Sequence, residues 1–308
     1  MKLKFSDNAR GLSQPDPYII KAHDGNYYIY ATGVDGVLVY RSSALDGIWE
    51  YLGIGLKEED CHEFWAPCVV YEGGLYYMYY SSCRAGCEDM HEQAIKVAVS
   101  DRPDGGFVYK KTMLKPFSID AHVVKSGENY YIFYSTNDYE AERAGTYIVV
   151  DKMLDMFTAA GNPVAIVRPT LDEEIFMRDR FRKGQNWHTV EGAFYFRKGD
   201  NHYVMYSGNC YQNEYYFIGY AYAYGNEDDL TKLHFQKYPN DITYAPLLCK
   251  NSEEAGTGHN SVLEDNGKYY IVYHARDIDA DENHETRTAR YCLIIAEGNQ
   301  LRRGQEVC

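Results

Sequence analysis

The sequence predicts an all-β chain, a single five-bladed β-propeller occupying residues 1–308. Three observations carry this expectation. Aromatic strands recur five times behind glycine-containing turns. A residue able to do chemistry stands at a near-constant distance before each of them. No segment sustains the 3.6-residue apolar period of a helix.

The aromatic strands are Tyr27-Tyr28-Ile29-Tyr30, Tyr76-Tyr77-Met78-Tyr79, Tyr130-Tyr131-Ile132-Phe133, His202-Tyr203-Val204-Met205 and Tyr269-Tyr270-Ile271-Val272. Their turns are Asp24-Gly25-Asn26, Gly73-Gly74, Gly127-Glu128, Gly199-Asp200-Asn201 and Asn266-Gly267. Gly and Asn suit such turns because they accept positive φ. Counting back 11 or 12 residues from the second residue of each aromatic strand reaches Asp16, Trp65, Asp120, Glu191 and His259. Five copies of one unit thus gather two Asp, one Glu, one His and one Trp at equivalent positions.

A third strand follows each aromatic one, at Val37-Leu38-Val39-Tyr40, Ile95 to Val99, Tyr147 to Val150, Phe217 to Ala221 and Tyr291 to Ile295. Segments around Trp49-Glu50-Tyr51, Phe107-Val108-Tyr109, Pro163 to Ile166 and Leu233-His234-Phe235 supply outer fourth strands. Units of this size bury their faces only by stacking on neighbours, which is the logic of a propeller. No linker separates the units, so a single domain is expected. The turns from first to second strand are short. Those from second to third are mostly long and polar: Ser81 to Ala94, Ser135 to Gly145, Ser207 to Tyr215 and His274 to Ala289. Antiparallel geometry puts these long loops at the end that bears the acids.

Composition narrows the partners. A formal charge of −14 argues against nucleic acid and anionic membranes, both of which select basic surfaces. Nothing approaches the roughly 18 consecutive apolar residues of a membrane span. The stretch Met1-Lys2-Leu3-Lys4-Phe5-Ser6-Asp7 has no apolar run of a secretory signal, so a cytoplasmic chain with reduced cysteines is expected. Tyrosine is over-used, at 32 residues, which half-buried strands accommodate and sugar-stacking platforms exploit. Cys83-x3-Cys87-x3-His91 resembles metal spacing but lacks a partner pair.

Three carboxylates around a narrow axis suit glycoside hydrolysis, in which an acid protonates the leaving oxygen while a base activates water. A third carboxylate beside the acid raises its pKa by like-charge repulsion and keeps it protonated. Two prolines, Pro15 and Pro17, stiffen the backbone on either side of Asp16.

Pro15-Asp16-Pro17-Tyr18, Phe64-Trp65-Ala66-Pro67, Ser118-Ile119-Asp120-Ala121-His122, Val190-Glu191-Gly192 and Gly256-Thr257-Gly258-His259-Asn260-Ser261 resemble the blade-start motifs of glycoside hydrolase family 43. The resemblance covers nearly the whole chain. It implies a five-bladed propeller that inverts anomeric configuration at α-L-arabinofuranosyl or β-D-xylosyl linkages. It implies Asp16 as general base, Glu191 as general acid and Asp120 as the modulator of that acid. It also implies that His259 lies near a central calcium ion bound largely through water, because neutral imidazole is a poor direct ligand for that hard cation.

Trp65 is a candidate for stacking on a sugar, with packing between blades as the plainer role. Arg287 and Arg290 are candidates for binding substrate, one of them pairing with Asp120. Their plainer role is as surface charges in an acidic loop containing Asp277, Asp279, Asp281, Glu282 and Glu285. Two alternatives stay open. A fructan- or mannoside-active enzyme or a sugar phosphorylase is one, the last of which calls for a basic cluster near the acids. The other is a propeller that only binds carbohydrate, which would lack one of the three acids. The leaning within hydrolysis is towards short oligosaccharides.

Overall fold

The structure is a computed structural model that describes residues 1–9, 11–280 and 284–304. Among these residues it is almost entirely β, with four short 3₁₀ turns and no α-helix. Five antiparallel meanders follow one another. The first contains β1 (Lys4–Phe5), β2 (Tyr18–Lys21), β3 (Tyr27–Ala31), β4 (Val37–Ser42) and β5 (Ile48–Leu56). The second contains β6 (Cys61–Glu72), β7 (Leu75–Arg84), β8 (Ala94–Ser100) and β9 (Val108–Thr112). The third contains β10 (Ile119–Ser126), β11 (Asn129–Asp138), β12 (Gly145–Asp155), β13 (Thr158–Ala159) and β14 (Val164–Val167). After β15 (Ile175–Met177), the fourth contains β16 (Trp187–Lys198), β17 (Asn201–Gly208), β18 (Phe217–Tyr224) and β19 (Gln236–Lys237). The fifth contains β20 (Glu254–Asp265), β21 (Lys268–Asp277), β22 (Thr288–Glu297) and β23 (Gln300–Arg303).

Hydrogen bonding groups these strands into four sheets, because a short parallel pairing of Gly145 and Thr146 with His188 and Thr189 joins the third and fourth meanders into one sheet of ten strands. Each apolar core is shared by two meanders. Tyr30, Val37 and Leu56 pack on Phe64 and Met78; Cys68 and Val97 pack on Val123 and Ile132. Phe133 and Ile148 meet Val190 and Val204, and Phe194 and Ile218 meet Ile271 and Tyr273. The last core returns to the start, with Val272 and Tyr291 packed on Ile29, Tyr40 and Trp49. The N-terminal residues reinforce this contact: Leu3 N–H donates to the Ala289 carbonyl, and Tyr291 N–H donates to that of Met1.

One irregularity is repeated. In meanders two to five the first strand carries an extra residue opposite the second strand, just after the pairs Trp65–Ser81, Ile119–Ser135, Glu191–Ser207 and Gly258–His274. The first meander does the same where Thr32 N–H donates to the Pro15 carbonyl. The residue entering each bulge has left-handed backbone, with φ of 51° at Asp16, 45° at Ala66, 59° at Asp120, 66° at Gly192 and 40° at His259. Bulges of this kind bend a strand and re-aim its side chains. Asp16, Asp120 and His259 therefore share one register, while Trp65 and Glu191 stand one residue earlier. The even count read from the sequence needs this one-residue correction.

The proposed fourth strands around Trp49, Val108 and Val164 coincide with β5, β9 and β14. Leu233-His234-Phe235 does not: it follows a 3₁₀ turn at Leu230–Lys232, and the outer strand is the two-residue β19 just beyond. The Asp229 side chain caps that turn by accepting from Thr231 N–H, and so delays the strand.

Candidate active site

The five bulges open onto one cavity of about 580 Å³. Asp16, Asp120, Glu191, Trp65, His259 and Arg287 all line it. Arg290 does not. Its guanidinium is buried between Glu254 (3.1 Å) and Asp277 (2.8 Å), where it ties β22 to β20 and β21, so its expected place at the substrate is corrected to a framework role. Residues Asp281 and Glu282 of the acidic loop lie outside the described residues.

Asp16 is the most heavily served of the acids. Thr32 Oγ1 donates to its Oδ2 at 2.5 Å and itself accepts from Ala66 N–H, so the first two meanders jointly aim the carboxylate. The Asp16 N–H donates to His274 Nδ1 at 3.0 Å. Around Oδ1 stand His274 Nδ1 at 3.3 Å, His259 Nδ1 at 3.5 Å and Arg287 Nη1 at 3.6 Å. Burial alone would raise this carboxyl, but His259 and Arg287 beside Oδ1 outweigh it and hold it well below the usual carboxylate range. Asp16 is thus ionised. His274 is fully buried, which pushes its imidazole down to about 4, so it is neutral. As acceptor at Nδ1 it carries its proton on Nε2, which has no hydrogen-bond partner.

Glu191 lies in a different environment. Burial, then the neighbouring Asp120 charge, push its carboxyl well above the ordinary value. Tyr216, which donates to Glu191 Oε1 at 2.9 Å, opposes this without cancelling it. Asp120 is fixed by the Gly192 N–H (3.0 Å) and the Ser135 hydroxyl (3.3 Å), both donating to Oδ2. The amide just after Glu191 therefore holds Asp120 beside it. Burial raises Asp120, the His259 charge opposes that, and the Asp16 charge adds to it. A Cβ at Gly192 would stand 3.1 Å from His259 Nδ1, so a side chain there would press on that ring. The Tyr216 ring stacks on His274, with centroids 5.9 Å apart and planes 8° apart. The partners of Asp16 and Glu191 thus touch each other.

Arg287 reaches Asp16, not Asp120 as the sequence suggested. Its Nε and Nη2 hold Glu285 in a fork at 2.9 and 2.6 Å, and its guanidinium lies 4.7 Å over the Tyr211 ring. Trp65 Nε1 donates to Glu63 Oε2 at 2.8 Å, which fixes the indole at the cavity wall. His259 is placed by its own N–H, which donates to Ser207 Oγ at 2.7 Å.

Thr32, Tyr211, Tyr216, His274 and Glu285 escaped the sequence reading. They lie at the ends of second strands and in long loops, and each acts on a residue that folding brings near it or on its loop neighbour. The signal open to inspection was that the long loops Ser207 to Tyr215 and His274 to Ala289 start from the strand ends that face the acids. Among the described residues no group of three His, Cys, Asp or Glu side chains is poised to hold a metal ion. Cys87 Sγ donates to the Asp89 carbonyl, and His91 Nδ1 lies 2.6 Å from the Asp89 carboxylate.

Comparison with known proteins matches this geometry to a family. The model of "Glycosyl hydrolases family 43" matches residues 11–294. An extracellular exo-α-(1→5)-L-arabinofuranosidase of Streptomyces avermitilis is 26% identical over 294 residues, covering 86% of this chain and 56% of that protein. A probable arabinan endo-1,5-α-L-arabinosidase A of Aspergillus flavus is 26% identical, covering 63% of this chain and 58% of that protein. The chain thus spans little more than half the length of these curated relatives. Among solved structures, a thermostable family-43 glycoside hydrolase superposes with a TM-score of 0.79 at 27% identity, over 98% of this chain and 96% of that one. The α-L-arabinofuranosidase of Lactobacillus brevis shares the fold, with a TM-score of 0.77 at 20% identity, over 97% of this chain and 96% of that one. With the family pattern spanning more than nine-tenths of its length, the chain belongs to family 43 of the glycosyl hydrolases.

Proposed function

We propose that the chain is an inverting glycosidase that releases α-L-arabinofuranosyl or β-D-xylosyl units from short oligosaccharides. The observation that carries this reading is the opposite bias of two carboxyls in one cavity: Asp16 is held ionised while Glu191 is pushed towards its protonated form. A hydrolase that must activate water on one face of a sugar and protonate the leaving oxygen on the other needs that pair.

In this reading Asp16 accepts a proton from water, and its own bonds from Thr32 keep its free lone pairs aimed. Glu191 gives its proton to the glycosidic oxygen. Asp120 keeps that proton in place through its charge and, through Gly192, keeps the acid in register. Arg287 and the Trp65 face would position the sugar, the first with directed hydrogen bonds and the second by stacking. The five meanders are the blades of one five-bladed propeller and one domain, a reading supported by the five cores that each join successive meanders and return to the first.

A panel of nitrophenyl glycosides tests the proposal, with the first-formed product followed by NMR. Cleavage of the α-L-arabinofuranoside or β-D-xyloside with inverted configuration is expected. Retention, or cleavage of neither, overturns it.

We further propose a calcium ion near His259. Among the described residues no group of three His, Cys, Asp or Glu side chains is placed to ligate it directly, and imidazole nitrogen is a poor partner for a hard cation, so the ion would be held through its water shell. A chelator should then lower the melting temperature and added calcium should restore it by mass action. A melting curve and activity indifferent to both would retire the ion.

A further inference from the structure

The active-site end carries a second cavity, of about 1050 Å³, between the loop 139–144 and the loop 178–186. It shares no lining residue with the first. We propose that it is an accessory carbohydrate subsite, binding distal, uncharged sugar units of a chain whose end occupies the catalytic cavity. The proposal rests on the reading of the protein as a glycosidase.

Two aromatic rings face this groove while remaining about half exposed, Tyr139 at 49% and Phe181 at 56%. Both are held from behind by the buried Trp187, at centroid distances of 5.1 and 5.7 Å. Arg180 lies 4.8 Å over Trp187 and braces the cluster from another side. Adjacent apolar rings that stay in water while packed on a buried ring are a prepared surface. Such rings present a flat, rigid apolar area to the C–H face of a sugar at little cost in side-chain freedom.

The rest of the lining supplies hydroxyl partners. Gln185 and Asn186 bring planar amides with both donors and acceptors. Arg143 is preset, donating to Asp172 at 2.8 Å and to His188 Nε2 at 3.1 Å. Charge on the walls balances: Arg143, Arg182 and Lys183 stand against Glu140, Glu142 and Asp172. Burial lowers the pKa of His188, which stays neutral. A groove of aromatic faces, amides and self-cancelling charge suits a neutral polyhydroxylated ligand better than an anion or a hydrophobic peptide.

Its position fits the same chain. His188 stands on β16 three residues before Glu191, so the groove begins roughly 10 Å from the acid by the rise of an extended strand. Loop 139–144 leaves β11 at the end where Ser135 pairs with Ile119, beside Asp120. An oligosaccharide leaving the catalytic cavity on that side meets the two rings.

The test compares wild type with Phe181→Ala and Tyr139→Ala on a nitrophenyl arabinofuranoside and on arabino-oligosaccharides of increasing length. For long oligosaccharides KM should rise about five- to tenfold with kcat unchanged, the loss expected for one stacked ring. The aryl glycoside should be hydrolysed as before, which also verifies folding. Equal behaviour of long and short substrates in the variants overturns the subsite, as does a loss shared by the aryl glycoside. Calorimetry of long oligosaccharides in the Asp16→Ala background reads the same binding without turnover. There, loss of affinity on Phe181→Ala supports the subsite even if the proposed reaction is wrong, and unchanged affinity rejects it.

Discussion

Asp16→Ala should lower turnover of every substrate by roughly 10²–10⁴-fold, activated aryl glycosides included. Water must be deprotonated whatever the leaving group, and no other acid in the cavity is kept ionised to the same degree. Asp120 cannot stand in, because burial raises its carboxyl and its Oδ2 is already engaged by Gly192 and Ser135. Loss of Asp16 also strips Thr32 of its acceptor and leaves Arg287 with Glu285 as its remaining carboxylate partner, so melting temperature is measured beside rate. Asp16→Asn preserves the shape and most of the hydrogen bonds. A protein that folds in both forms yet retains near-wild-type rate on a dinitrophenyl glycoside would remove Asp16 from the reaction.

Glu191→Ala should divide substrates by their leaving groups. Oligosaccharides and alkyl glycosides, whose alkoxide departs only when protonated, should lose roughly 10²–10⁴-fold, whereas dinitrophenyl glycosides should lose far less. The pH profile gives the second readout. Burial and the charge of Asp120 raise the Glu191 pKa, so its proton persists above the usual carboxylate range and leaves as pH rises through the raised value. Wild-type kcat/KM on oligosaccharides should therefore fall on the alkaline side. That limb should vanish from what remains in Glu191→Ala. An equal loss on good and poor leaving groups, with the limb intact, would assign the acid elsewhere.

The sequence was most legible where a local rule repeats. Turn glycines and aromatic pairs marked five units, and counting from them found Asp16, Asp120 and His259. The count slipped by one at Trp65 and Glu191, because a bulge inserts a residue that no composition rule announces, and Ala66 and Gly192 occupy the left-handed position instead. The two arginines show another limit. Arg287 and Arg290 are an odd number of residues apart, so a strand sends them to opposite sides. Deciding which one reaches the cavity requires knowing that β22 begins at Thr288. Tyr216 and His274 were illegible for a further reason. Tyr216 serves Glu191 from 25 residues away in its own meander, and His274 serves Asp16 from another meander, 258 residues away, so only the packed chain brings each pair together.

The repeated bulge separates two jobs that usually compete for the same residues. Strand pairing and core packing resume after each bulge with ordinary apolar side chains, whichever residue occupies the bulge itself. That position is shape-determined and chemistry-free, a socket whose direction is set by the backbone. The chain fills its five sockets with two aspartates, a histidine, an alanine and a glycine. Left-handed backbone costs a residue with a β-carbon roughly 1–2 kcal/mol, a cost borne in four meanders and escaped by Gly192 in the other, and in return the side chain at the bulge is free to vary. Ala66 is the unspent socket: it has the left-handed backbone of Asp16 and Asp120 but offers no functional group.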